Sequence, residues 1–174
     1  KDLRLYYEGV IANIVNLLII SPLYYLLAYH LLIKISNEFS IFKYFGILII
    51  QGIFYYYFHK LMHLNKYFKW MHDFHHKFVI TVPSTGNAVT IYEFQVAYVL
   101  PFLIGALILN PSRSDFRYAI LTISLFNLFI HTQEFRNLSY PKLLVSPNDH
   151  IVHHETRSNT YSAPIINIDN LLKK

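Results

Sequence analysis

The chain is 174 residues long, with 54% hydrophobic and only 14% charged residues, whereas charged residues make up about 25% of an ordinary soluble domain. This deficit predicts one integral membrane domain over residues 1–174. There is no cysteine, which excludes disulfides and thiolate-held metal sites. The net charge is +5. Because the basic residues lie beside apolar runs, we expect contact with anionic lipid headgroups and no nucleic-acid partner.

Four apolar runs predict transmembrane helices, because about 20 helical residues cross the hydrocarbon layer. The first run is long and lacks a small-residue cleavage site, so we expect a span rather than a cleavable signal peptide. The chain does not begin with methionine, and we expect it to be a piece of a longer protein. The alternative, four buried helices of a soluble core, is disfavoured by their number in so short a chain. The predicted spans are residues 9–33, 41–58, 91–109 and 117–131.

Two short links, residues 34–40 and 110–116, predict two helical hairpins with both links on one side of the membrane. Residues 59–90 and 131–174 then form a helical cap on the other side. Of the 15 Lys and Arg residues, all but four lie on the cap side, which predicts a cytoplasmic cap. The predicted fold class is an all-α membrane protein of four transmembrane helices with a cytoplasmic cap. The four basic residues on the link side are Lys34, Lys43, Arg113 and Arg117.

Nine of the ten histidines lie at the cap-side ends of the spans or within the cap. His30 is the exception, because it lies near the opposite end of the first span, and we interpret it as an interfacial histidine. The other nine are the candidate metal ligands: His59, His63, His72, His75, His76, His131, His150, His153 and His154.

The spacing of these histidines favours convergence on metal ions. His59 and His63 are four residues apart and share one face of a helix. The stretches "HDFHH" and "HIVHH" each place histidines at i, i+3 and i+4. On a helix the outer pair of such a triplet aligns and the adjacent pair diverges, so one triplet can serve two metals.

The number of histidines favours two ions over one. Nine imidazoles exceed the four ligands of a closed zinc site. Shared between two ions they give four or five ligands each, which leaves a position for oxygen or a bridging water. Iron is favoured over zinc, because imidazole binds both and only iron offers oxygen activation. The alternative is a loose surface metal trap, which the repeated clusters on one membrane side disfavour.

The histidine clusters also resemble a known pattern. In this order, "HKLMH", "HDFHH" and "SPNDHIVHH", between paired hydrophobic hairpins, resemble the fatty acid hydroxylase/sterol desaturase superfamily. The resemblance runs from about residue 41 to the C-terminus and includes "FNLFIHTQEF" and the tail "NTYSAPIINIDNLL". It implies a non-haem di-iron centre, O2 as oxidant and electrons from a cytochrome b5-type carrier. It also implies a lipid substrate and an endoplasmic reticulum membrane with the metal centre on the cytoplasmic side.

The chain departs from the superfamily pattern in three places. No glycine follows "NTY", and no Phe-Gly-Thr follows "DNLLKK". Asn127 stands where some members carry a further histidine, one turn before His131. There it either holds a metal-bound water, binds a metal weakly or is a core asparagine.

Imidazole ligands usually donate their second ring nitrogen to an acceptor. Several carboxylates near the candidate ligands are suitable acceptors, although each is alternatively a surface charge. Glu93, at the mouth of the third span, is either a further acceptor or a charge at a helix start. The candidates next to ligands are Asp73, Glu134, Asp149 and Glu155.

The predicted function is oxygen-dependent hydroxylation or desaturation of a lipid C–H bond. The two reactions share their first hydrogen abstraction, so the ligand pattern does not separate them, nor does it identify the lipid. A metal transporter or sensor is an alternative, but the interiors of spans two to four are nearly free of charged or histidine residues. A metalloprotease would need H-E-x-x-H, which no cluster contains. An inactive relative is a further alternative, because the end of the family pattern is missing.

Overall fold

Helices form almost all of the regular structure in the computed structural model, which describes residues 2–157 and 160–173. This described part contains only isolated single-residue β-bridges and no sheet, so the all-α prediction is confirmed. We number the helices in chain order as α1 (Leu3–Leu31), α2 (Ile41–Leu64), α3 (Lys69–Asp73), α4 (Ile91–Leu109), α5 (Arg113–Ile130), α6 (Pro147–Thr156) and α7 (Ile168–Leu172).

Polar caps determine where two of the long helices begin. Asp2 accepts two backbone N–H groups of the first turn of α1, so this helix begins earlier than the predicted span. Ser112 and Asp115 form a capping box at the start of α5, which also begins before its predicted boundary. Because such caps precede the apolar run, hydrophobicity alone places both helix starts too late.

Three helices, α1, α2 and α4, are long and apolar enough to cross a bilayer. They present large apolar side chains outward, and Leu18 of α1 is 70% exposed. Helix α5 has 18 residues but carries Arg113, Asp115 and Arg117 within its first turn and a half. Its uninterrupted apolar stretch is therefore shorter than those of the other three helices. The three helices indicate a multi-pass membrane protein. The fourth span, the hairpin arrangement and the cytoplasmic orientation stay predictions.

Two prolines lie inside the long helices, each two residues after a π-helical segment. Pro22 follows the segment Asn16–Ile20 of α1, and Pro101 follows Phe94–Val99 of α4. Proline removes a backbone donor and crowds the carbonyl of the preceding turn. A wider π-helical turn accommodates this change within a membrane helix.

Helix α2 is central and packs against both α4 and α5. Gly105 of α4 allows close packing, since an added Cβ would lie 3.7 Å from the Cα of Ile47 in α2. Helix α1 lies against α4 and α5. Gln95 Nε2 donates a hydrogen bond to the Tyr24 hydroxyl at 3.1 Å, and the C-terminal half of α1 joins the core around Phe116.

The two short links meet at one end of the long helices. The backbone N–H of Lys34 donates to the carbonyl of Pro111 at 2.8 Å. Segments 65–90 and 131–157 gather at the opposite end, where α2 and α5 end and α4 begins. Both links therefore lie at one end of the molecule, and all nine candidate ligands lie at the other.

Candidate metal centre

Helix α2 carries the first two candidate ligands, because it continues past the predicted span end at residue 58. His59 and His63 lie one turn apart on the same face, and their Nε2 atoms are 3.2 Å apart. The ring of His59 is buried and that of His63 is half-buried. The four-residue spacing thus brings two imidazoles together, as helix geometry predicts.

The "HDFHH" triplet does not lie on a single α-helix. His72 belongs to α3, whereas His75 and His76 lie in the 3₁₀ turn that follows. The outer pair still faces the α2 ligands. His72 Nε2 is 2.8 Å from His59 Nε2, and His76 Nε2 is 3.2 Å from His63 Nε2. The tighter turn therefore preserves the alignment that an α-helix would give.

The "HIVHH" triplet lies on α6, and His131 caps the C-terminal end of α5. His153 Nε2 is 3.1 Å from His63 Nε2. His150 Nε2 is 2.9 Å from His131 Nε2 and 3.2 Å from His154 Nε2. The outer pair of this triplet thus faces one set of rings and its middle member faces another.

The nine histidines form two adjoining groups among the described residues. Each ring offers one nitrogen, and within a group these nitrogens all lie within 4.8 Å of one another. The ring centroids of His76 and His154, one from each group, are 5.2 Å apart. The five-histidine group is His59, His63, His72, His76 and His153, and the four-histidine group is His75, His131, His150 and His154.

In four of the nine rings, Nδ1 lies within hydrogen-bond distance of an acceptor oxygen. Three acceptors are backbone carbonyls, which only accept, so the ring Nδ1 carries the hydrogen and the Nε2 lone pair faces the group. The fourth is a carboxylate, with Glu93 Oε1 2.5 Å from His72 Nδ1 and both side chains buried. The carbonyl pairs are His59 with Tyr161 at 2.8 Å, His75 with Ala88 at 3.3 Å and His131 with Asn127 at 2.6 Å.

These lone pairs make the groups fit for metal ions. Nε2 atoms within the groups face one another at 2.8 to 3.2 Å. Nε2 of His75 is buried and has no hydrogen-bond partner among the described residues. Lone pairs this close repel unless a cation lies between them, and nitrogens about 2.1 Å from one ion lie about 3 Å apart. The donor set therefore fits one ion in each group.

Burial keeps these imidazoles neutral, which is the form that binds metals. Loss of hydration lowers the pKa of His131 to about 4. Loss of hydration, together with the neighbouring His59 ring and the charge of Arg157, lowers the pKa of His76 to about 3. Neutral imidazole binds iron as well as zinc, so both groups are compatible with iron.

The four carboxylates predicted next to ligands have other surroundings. The two ion pairs are Asp73 with Arg157 at 3.4 Å and Glu155 with Arg136 at 2.7 Å. Asp149 belongs to the capping box of α6, and Glu134 is exposed. None of the four is hydrogen-bonded to a ligand ring among the described residues. Asp73, Asp149 and Glu155 each adjoin a ligand on a helix, where neighbouring side chains point in different directions.

The observed ring partners come mainly from the backbone. Asn127 supplies its carbonyl, while its side-chain Nδ2 donates to Asn87 Oδ1 at 2.9 Å. The carbonyls of Ala88 and Tyr161 leave no signal in the sequence, because every residue type carries this group. Glu93 does leave a signal, since it is a single charge at the end of an apolar run.

An apolar cavity of about 70 Å³ lies between α1, α4 and α5. Both π-helical segments border it, through Leu17 of α1 and through Phe94 and Tyr98 of α4. Asn87 and Asn127 line its polar end, beside the ring that caps α5. The cavity therefore ends next to the four-histidine group.

His30 stands apart from both groups. It lies near the link end of α1, where its ring packs edge-on against Tyr29 with centroids 5.2 Å apart. Asn159, the first residue of the tail motif, and Ser158 before it lie outside the described residues.

Fold and site together define a multi-pass membrane protein with a histidine-rich centre able to hold metal ions. A sequence model of the fatty acid hydroxylase family matches residues 44–173, about three quarters of the chain and all nine clustered histidines. The chain belongs to this family, which is part of the fatty acid hydroxylase/sterol desaturase superfamily. Its members are generally enzymes, and the histidine groups fit a membrane lipid hydroxylase or desaturase. No curated protein and no solved structure matches the chain.

Proposed function

We propose that this protein is a membrane di-iron enzyme that uses O2 to hydroxylate or desaturate a C–H bond of a sterol or fatty acyl lipid. The observation that carries the proposal is the pair of adjoining histidine groups, in which one nitrogen of each ring lies within 4.8 Å of the others of its group and every ring except that of His63 is buried. Membership of the fatty acid hydroxylase family favours this class of reaction. The nine histidines are the proposed metal ligands.

Each histidine group would hold one iron ion. Bound iron supplies the redox chemistry that activates O2, with electrons from a cytochrome b5-type donor. Zinc fits the same ligands but does not change its oxidation state. The four-histidine group would hold its ion with one ligand fewer, and it lies beside the cavity that is proposed below as the substrate site.

The other polar groups of the centre orient the ligand rings, whereas burial keeps the rings neutral. Glu93 and three backbone carbonyls hold four of the nine rings by Nδ1, and such partners determine the ring orientation and the donor strength of Nε2. All the clustered histidines except His63 are buried. Exclusion of water protects a reactive centre from side reactions.

The cavity between α1, α4 and α5 is the proposed substrate site. It is lined mainly by apolar and aromatic side chains, among them Phe102 and Leu103, with Ser21 and Ser124 as small polar members. An apolar part of a lipid fits such a lining. Its polar end at Asn127 would bring the reacting carbon beside the four-histidine group.

A second cavity, of about 90 Å³, opens onto the five-histidine group. Its lining includes His63 and the cations Lys69 and Arg157, with Asp73 as the one carboxylate. A donor with an acidic surface, such as a cytochrome b5-type protein, is attracted to such a basic opening. The excess of basic residues at this end favours a cytoplasmic position, and we propose the endoplasmic reticulum membrane as the location.

Two other functions share part of this support. A metal-binding membrane protein, such as a transporter or sensor, would also hold ions in the histidine groups. An inactive member of the family would retain the fold without turnover. Oxidation of a lipid by the chain separates the proposed enzyme from both.

The test is lipid profiling of cells that express the chain, with iron measured in the purified protein. We expect two irons per chain and an oxidised lipid product for the wild type. In His153→Ala we expect less iron and no product, since His153 Nε2 lies 3.1 Å from His63 Nε2 in the five-histidine group. The matched control is His30→Ala, which removes a histidine outside both groups and should retain iron and product. Identical lipids and unchanged iron in His153→Ala would contradict the proposal.

A further inference from the structure

Asp169 of α7 is a buried carboxylate that belongs to neither histidine group. It is 8% exposed, and its Oδ2 accepts three hydrogen bonds. The donors are the backbone N–H of Tyr161 at 2.8 Å, the backbone N–H of Ser162 at 2.8 Å and the Ser162 hydroxyl at 2.7 Å. The Ser162 Oγ in turn accepts the N–H of Asp169 at 3.0 Å. The carboxylate thus holds the backbone of residues 161–162 in place.

The peptide bond between Tyr161 and Ser162 joins this carboxylate to a ligand ring. Its N–H donates to Asp169 Oδ2, and its carbonyl accepts from Nδ1 of His59 at 2.8 Å. Hydrogen bonds in such a chain polarise one another, so the carboxylate makes the carbonyl a stronger acceptor. A stronger acceptor on Nδ1 makes Nε2 a better metal ligand.

The geometry points to Asp169 as a positioning residue that acts through the Tyr161–Ser162 peptide on His59. It orients the His59 ring and strengthens Nε2 as a ligand for a metal in the five-histidine group. This inference rests on the proposed metal centre and adds a residue to it.

The hydrogen bonds that run from Asp169 through the Tyr161–Ser162 peptide to His59, called the relay from here on, make the two histidine groups unequal. In the five-histidine group, His59 and His72 face each other at 2.8 Å, and each has a carboxylate behind it. Glu93 contacts His72 directly, whereas Asp169 reaches His59 through one peptide. In the four-histidine group, His75 donates to the carbonyl of Ala88. The N–H of that same peptide bond, which belongs to Val89, donates to the neutral backbone carbonyl of Asn87 and not to a carboxylate. We therefore expect the five-histidine group to bind a divalent ion more tightly.

The side chain of Tyr161 links the same segment to the group. Its ring centroid lies 5.3 Å from that of His63 and 6.2 Å from that of His153. Movement of residues 161–162 would therefore displace one wall of the five-histidine group. No such contact joins this segment to the four-histidine group among the described residues.

The test compares Asp169→Asn with a matched control, Asp115→Asn, in the purified full chain. Asparagine retains an acceptor oxygen of similar shape and removes the charge. Asp115 is also buried and accepts the backbone N–H groups of Ser40 and Ser112 at 2.7 and 2.9 Å. It lies about 24 Å along α5 from His131, at 1.5 Å per residue, so it reports general destabilisation only.

Each protein is stripped of metal and titrated with Co²⁺, followed by visible absorption and calorimetry, and its thermal unfolding is measured without metal. For Asp169→Asn we expect the affinity of one of two Co²⁺ equivalents to fall about 10- to 100-fold, with the other unchanged. For Asp115→Asn we expect both affinities to equal those of the wild type, whatever happens to its melting temperature. Because the relay ends on His59, Asp169→Asn should cause no further loss in a His59→Ala background.

Equal Co²⁺ affinities in Asp169→Asn and the wild type, or parallel losses in both variants, would overturn the positioning role and leave the metal centre intact. Additive losses with His59→Ala would overturn it as well. If Asp169→Asn does not fold, Ser162→Ala removes one of the three bonds to the carboxylate and should show a smaller loss at the same site. A wild-type chain that binds no Co²⁺ would overturn the proposed function and the relay together.

Discussion

At the level of single residues, the hydrogen-bond partner of Nδ1 determines which nitrogen of a histidine ring is free to bind a metal ion. A ring whose Nδ1 donates to a carbonyl has only a lone pair on Nε2, and His59, His75 and His131 are of this kind. The spacing of the histidines predicts that rings converge. It does not predict these partners, because a carbonyl is present at every position and its direction depends on the fold.

Gly86 makes one of these contacts testable. An added Cβ would lie 3.3 Å from His131 Nδ1 and 3.3 Å from the carbonyl oxygen of Pro83. Because the backbone oxygen of Pro83 cannot move far, Gly86→Ala should displace the His131 ring. The metal content of the purified protein should therefore fall. The control is Gly52→Ala, where the nearest atom lies 3.7 Å away and metal content should be retained. Equal metal content in Gly86→Ala and the wild type would count against a ligand role for His131.

The metal-free protein should lose stability as pH falls below about 6.5, the ordinary pKa of histidine. Burial lowers the pKa of His131 to about 4 and that of His76 to about 3. Between these values and 6.5 the unfolded chain binds protons that the folded chain does not. The free energy of unfolding therefore decreases as the pH is lowered. Thermal unfolding in detergent at pH 7.5 and 5.0 measures the effect. His131→Gln should show a smaller decrease, and a melting temperature that does not fall in the wild type would contradict this account.

At the scale of helices, hydrophobic runs predict where the four long helices lie, but they predict neither all the helix ends nor the local helical period. Helix α4 has the predicted bounds, but α2 runs on to Leu64 because Tyr55, His59 and Met62 recur at helical spacing on its buried face. The 3₁₀ turn after α3 and the two π-helical segments are local changes of helical period. Runs of apolar residues do not distinguish these periods, so their effect on the cavity was not predictable.

The cavity beside the π-helical segments gives a prediction for α5. Ser124 lines the cavity, and Ser124→Leu would fill part of it with apolar side chain. We expect iron content to be retained and lipid product to fall at least about tenfold, because a substrate misplaced near the centre reacts slowly. The adjacent control is Leu125→Phe, at a position that is 66% exposed and outside the cavity. Undiminished product in Ser124→Leu would place the substrate elsewhere.

At the scale of the whole molecule, the metal centre is a product of tertiary structure. Four separate segments supply the nine rings, and the C-terminal segment adds Tyr161 and Asp169 behind them. The sequence predicts which histidines gather, since all nine lie at one end of the apolar runs. It does not predict the division into five and four, because this depends on how α3, the following turn and α6 face each other.

Iron K-edge X-ray absorption on the purified full chain, together with the iron-to-protein ratio, measures directly whether the histidine groups hold two iron ions. We expect two irons per chain and a spectrum dominated by imidazole nitrogen, with the scattering pattern of the histidine ring. This pattern should weaken in His153→Ala and persist in His30→Ala. Iron without imidazole ligands, or a chain purified with no bound iron that also fails to take it up, would contradict the account.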